Sequence, residues 1–266
     1  DLTGALDAAR RVADAAKTEP LDEAAEERFL GEQAAREILA RAPLAPLPNL
    51  QRYVNQLGRY LAARSDRKGV DWRFAVIDDA SANAWAAPDG YIFLTTGMLA
   101  DIDSEAELAG ILAHEIQHVV ARHHLKAIRS ASDRKRFGEL AGIARDTAGS
   151  YGVEGADVSV PAELQTLRGT ISQVYERGLG RGDELDADRG GLLLAAKAGY
   201  DPYGLPLVLQ KLEARGAEDP SVASFVRTHP SFSERLGKLD KQIGKLDARF
   251  FPGRTMESRY RKNAGF

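Results

Sequence analysis

The chain has no cysteine in its 266 residues. That excludes disulfides, thiolate chemistry and every cysteine-based zinc site. It also lacks any apolar run of about 18 residues, so nothing in it reads as a transmembrane helix. Charge of either sign is not in large excess, with a formal net charge of −3. A bulk electrostatic attraction to nucleic acid is therefore not expected. Histidine is scarce: there are five, and four of them fall in LAHEIQHVVARHH, residues 112–124, with His229 far downstream. What remains is ordinary for a globular protein, 44% hydrophobic and 28% charged residues, in a chain long enough to bury a real core. The first residue is Asp1, which is compatible with a processed form that has lost a signal segment.

Residues 1–42 read as helix with an interruption near Pro20, because Ala, Glu, Arg and Leu dominate. APLAPLP, 42–48, breaks it. In 49–65, Leu50, Tyr53, Val54, Leu57 and Leu61 recur at the spacing of one buried helical face. DWRFAVID alternates and YIFLTTG is rich in β-formers, so both read as strands, with Pro88-Asp89-Gly90 as a turn signal between them. Beyond residue 100 the pattern is helical almost to the end, except for a glycine-containing stretch at 130–161. A loop of that length is either a lid or plug over a site or a tolerated surface insertion. The expected architecture is a single, predominantly helical α+β domain with a small mixed sheet packed on the histidine helix. Its parts are a helical arm (1–66), the sheet and active-site helix (71–129), the lid or plug (130–161), a second helical part (162–246) and a tail (247–266).

Ser104 and Glu107 have the spacing of a capping box, so a helix begins there. At about 100° per residue from Leu108, the apolar stripe contains Ile111, Leu112 and Val119, and His114 and His118 lie side by side at its edge. Glu115 falls inside the apolar arc, where a carboxylate is costly without a counter-charge. Two histidines at i and i+4 aim imidazole nitrogens at one point, and neutral imidazole suits zinc. HEIQH therefore reads as the H-E-x-x-H zinc signature, with Glu115 as general base.

Catalytic zinc takes three protein ligands. His124 has the metzincin spacing, but the glycine which that motif needs is Ala121, and on a continuous helix His124 points away. His123 reads as a packed or supporting histidine. In RGDELDADRGGLLLAAKAGYDP, Glu184 and Asp188 share a helical face. Glu184 can bind the metal, and Asp188 can accept a hydrogen bond from a ligating histidine.

The ordered blocks LGEQAAREI, NAWAAPDGYIFLTTGML, EAELAGILAHEIQHVVARH, ELDADRGGLLLAAKAGYDP and THPSFSERL resemble the HtpX/BepA-like gluzincin zinc metallopeptidases, peptidase family M, number forty-eight. The likeness covers most of residues 25–245. It implies a zincin-type fold with one zinc on His114, His118 and Glu184. It implies an edge strand at Asn83, Ala84 and Trp85 that holds a peptide as an added strand. It also implies that His229 approaches the zinc, as an oxyanion-stabilising donor or an inhibitory fourth ligand, with Arg235 in the same block. His229 read alone is equally a turn residue before Pro230, and Arg235 a partner for an acid. The family commonly has Pro-Gly-Gly where this chain has Pro88-Asp89-Gly90. With no tetratricopeptide repeats or membrane helices in the sequence, the resemblance implies a bare catalytic domain. That domain is expected in the periplasm or peripherally on the outer membrane of a bacterium, cutting unfolded or misfolded polypeptides. The contrasting expectation is a zinc-stabilised, chaperone-like binding module that seldom cuts.

Overall fold

The computed structural model describes residues 23–132, 162–216, 218–229 and 232–265. The helix expected before Pro20 and almost all of the lid or plug segment lie outside the described residues. Helix α1 is Glu23–Leu39 and α2 is Pro48–Ala62. Proline starts α2, where its missing N–H costs nothing, and the helix buries the stripe Leu50, Tyr53, Val54, Leu57 and Leu61.

Strands β1 (Arg73–Ile77), β2 (Ala84–Ala87) and β3 (Tyr91–Thr95) form one sheet in the order β1-β3-β2. β1 runs parallel to β3 and β2 antiparallel, so β2 is an edge. Asp89 (φ 60°) and Gly90 (φ 88°) make the tight β2–β3 connection. Side chains alternate across the sheet. Phe74, Val76, Ile92 and Leu94 enter one apolar cluster, and Ile77, Trp85 and Phe93 enter another built on α1. Both faces are covered.

After the short α3 (Thr96–Ala100) comes the central helix α4, Glu105–Val120, buried along most of its length. Ser104 caps it, accepting from the Glu107 N–H at 3.2 Å, while the Glu107 carboxylate accepts from the Asp103 N–H at 3.3 Å. Glu105 is a buried carboxylate with a full set of partners: Tyr53 and Tyr200 donate to it at 2.6 and 2.7 Å, and Arg259 pairs at 3.0 Å. This charge belongs to the packing of the fold. α4 ends at Arg122, which is left-handed (φ 59°), and α5 (His123–Ala131) starts in a new direction. The continuous helix on which His124 would point away is therefore interrupted one residue before His123.

Among the described residues six further helices follow: α6 (Ala162–Arg177), α7 (Arg181–Lys197), α8 (Gly204–Arg215), α9 (Pro220–Thr228), α10 (Phe232–Ile243) and α11 (Glu257–Ala264). α11 lies in the stretch that reads as a tail, and its Tyr260 is buried. Among the described residues no helix is long and apolar enough to cross a membrane.

α7 packs directly on α4. A Cβ on Gly191 would lie 2.8 Å from the Cα and N of His114. Gly191→Ala gains about 1 kcal/mol of helix propensity but must push the two helices apart, which costs about 1–3 kcal/mol. The expected net result is destabilisation with weakened metal binding, read by denaturant unfolding and zinc titration. An unchanged midpoint would show that the helices have room to part.

Candidate metal centre

Four buried side chains converge between α4, α7 and the end of α9. His114 and His118 present their Nε2 atoms 3.0 Å apart. From α7, Glu184 brings Oε2 within 3.7 Å of His114 Nε2 and Oε1 within 3.4 Å of His118 Nε2. His229, just past α9, completes a set of donor atoms that all lie within 4.8 Å of one another. A tetrahedral ion with ligands at about 2.1 Å would separate those ligands by about 3.4 Å, so the spacing fits.

The chemistry fits as well. Neither Glu184 oxygen has a hydrogen bond, although both are buried. Burial lowers the pKa of both histidines, and at His118 the neighbouring His114 adds to the effect. Neutral rings keep a lone pair for a cation. Burial pushes the Glu184 carboxyl up to about 8, so a metal would displace a proton on binding it.

Glu115 is 1% exposed, and its Oε1 lies 3.7 Å from His229 Nε2. Burial, and then the charge of Glu184, raises its pKa well above the ordinary carboxylate value, while the backbone N–H of Ala86 opposes the rise. A carboxylate tuned upward is a better proton acceptor near neutral pH. Asp188 Oδ1 lies 2.9 Å from His114 Nδ1, the position of a group that fixes the ring. Arg235 is fully buried and donates twice to Asp188, at 2.8 and 2.7 Å, while its Nη1 sits 3.2 Å from Glu184. Burial works against ionisation of Asp188, yet the guanidinium and the His114 ring hold its carboxyl below the usual range. Arg235 thus pairs with two acids of the site.

The turn at Arg122 brings His123 to His118, with their Nδ1 atoms 3.0 Å apart. His124 stacks on Tyr175 at 4.8 Å, outside the donor group. His123 reads from the sequence as a packed or supporting histidine, but spacing names neither of these two partners. The first depends on a left-handed residue that spacing does not announce. In the second, Tyr175 lies 51 positions from His124, beyond the reach of any local spacing.

Along the edge strand, Asn83 Oδ1 accepts from the Ala84 N–H at 2.9 Å, and Asn83 Nδ2 donates to Ser224 at 2.8 Å. Trp85 is buried. The Ala86 carbonyl accepts from Tyr175 Oη at 2.9 Å. Side chains of the protein thus occupy main-chain groups at this edge.

Residues 48–243 match the model of Peptidase family M48. The chain is 30% identical to the beta-barrel assembly-enhancing protease of Yersinia pestis over 227 residues, 83% of this chain and 44% of that protein. It is 28% identical to the protein of the same name from Escherichia coli (strain K12), with the same coverage. It is 32% identical to the mitochondrial metalloendopeptidase OMA1 of Arabidopsis thaliana over 70% of this chain and 34% of that one. The chain therefore spans less than half the length of these curated relatives.

Proposed function

Because the chain belongs to peptidase family M48, we propose that it is a zinc metalloendopeptidase that cuts unfolded or damaged polypeptides in the bacterial cell envelope. The observation that carries this reading is the convergence of His114, His118 and Glu184 beside the buried carboxylate of Glu115. A purely structural metal site has no use for that acid. Relatives named as a beta-barrel assembly-enhancing protease and a metalloendopeptidase support the same chemistry.

His114, His118 and Glu184 would hold the ion. When bound, zinc supplies a Lewis acid and lowers the pKa of water toward neutrality. Glu115 accepts a proton from the attacking water and returns it to the leaving amine. Asp188 fixes His114, and Arg235 fixes Asp188 and Glu184, a positioning role. An extended substrate would pair with the Ala84–Ala87 edge by strand addition, which requires Tyr175 to release the Ala86 carbonyl.

The second reading, a latent or binding form with little proteolysis, is favoured by one detail at His229. The Thr228 hydroxyl donates to the Ser224 carbonyl at 3.0 Å, so its oxygen accepts from His229 Nδ1 at 2.9 Å. His229 Nε2 then carries a lone pair, the form that binds a cation. Four protein donors would fill a tetrahedron and leave no open position.

Incubation with unfolded casein separates the two readings. Cleavage that a chelator stops and zinc restores is the expected result. Zinc retained without cleavage, with cutting gained in His229→Ala, would assign the latent form. Neither cleavage nor casein binding in any variant would sink both.

A further inference from the structure

His118 is oriented differently from its partner ligand. A histidine that offers Nε2 to a metal carries its proton on Nδ1 and needs an acceptor there. For His114 that acceptor is the Asp188 carboxylate at 2.9 Å. For His118 it is a second imidazole, His123 Nδ1 at 3.0 Å. His123 must then hold its own proton on Nε2. That atom sits 3.6 Å from both Asp183 Oδ1 and Asp186 Oδ2, an electrostatic contact longer than a direct hydrogen bond.

We propose that His123 is a positioning residue which fixes the ring and tautomer of His118 through an imidazole relay ending on Asp183 and Asp186. The inference rests on the reading of His118 as a metal ligand. The fold builds the relay deliberately. Arg122 turns left-handed immediately before His123, and it is held there by Glu23 at 2.6 Å and Glu27 at 3.2 Å on α1. Asp183 and Asp186 flank Glu184 on the opening turns of α7. The helix that supplies the third ligand thus also anchors the far end of the relay. A shift of the α7 N-terminus would move both together. The two aspartates are 43% and 44% exposed, so the chain from His118 ends at the surface, whereas Asp188 is buried under Arg235.

The test measures zinc affinity of the full chain against a competing chelator and records the visible absorption of the cobalt(II) form. His123→Phe keeps the ring volume and removes the acceptor. It should weaken zinc binding about 10–100-fold and shift the cobalt bands. His123→Asn places an amide oxygen where Nδ1 stood and should recover affinity to within a few-fold, with wild-type bands. Asp183→Asn with Asp186→Asn should give an intermediate loss, and this pair carries the test if the Phe variant does not fold. Wild-type affinity in His123→Phe, or equal losses in Phe and Asn, would overturn the relay and leave the metal site intact. A wild-type chain that binds no zinc would overturn the metal reading and the relay with it.

Discussion

Glu115→Gln is expected to abolish peptide cleavage while zinc content stays unchanged. The substitution keeps the shape and removes the ability to accept a proton. General acid–base catalysis by a positioned group is worth about 10²–10⁴-fold, so kcat should fall by at least two orders of magnitude. Metal should persist because the four converging donors are His114, His118, Glu184 and His229, and Glu115 is not among them. Folding should not suffer either. Glu115 Oε2 is buried without a hydrogen-bond partner, and the charge of Glu184 acts against ionisation of Glu115. A neutral amide relieves that repulsion. The checks are kcat on an unfolded protein, zinc by atomic absorption and the melting temperature. Cleavage within a few-fold of wild type would remove Glu115 from the chemistry.

Much of this arrangement is legible in the sequence because it depends on short-range periodicity. His114, Glu115 and His118 follow from one helix, and the Ser104–Glu107 cap fixes where that helix begins. The capping reading needs one adjustment, since the Glu107 carboxylate reaches the Asp103 N–H. Glu184 and Asp188 stand four apart at helical spacing, and packing brings them to the histidines through Gly191, which lets α7 touch α4. The parts that stay hidden depend on backbone conformations or long-range contacts that no local pattern encodes. Arg122 in the left-handed region has no glycine to mark it, so spacing does not announce the break before His123. Tyr175 is separated from Ala86 by 89 positions, so no local pattern links its hydroxyl to that carbonyl. Arg235 illustrates the same limit. Its place in a block can be read, but its partners, Asp188 and Glu184, cannot.

Arg235→Met is expected to destabilise the metal-free protein by about 3–5 kcal/mol, the usual cost of leaving buried charges without their partner. Typical stabilities are about 5–15 kcal/mol, so the variant should sit near the edge of folding. The sign follows from Asp188. Its carboxyl is held below the ordinary range in the folded state, so it contributes stability above the unfolded value that is lost as pH falls through the folded one. Methionine fills much of the same volume but cannot hold that ionised form, and the contribution disappears at neutral pH. Adding Asp188→Asn removes the stranded charge and should recover part of the loss, a non-additive result expected of residues in direct contact. Zinc should rescue the single variant only in part, because the ion compensates Glu184 directly, whereas Asp188 keeps only the His114 ring in place of the guanidinium. The measurement is urea unfolding of the two variants with and without zinc. A loss below about 1 kcal/mol in Arg235→Met would mean that water or another cation reaches the buried pair. The guanidinium would then be dispensable to the two carboxylates it contacts.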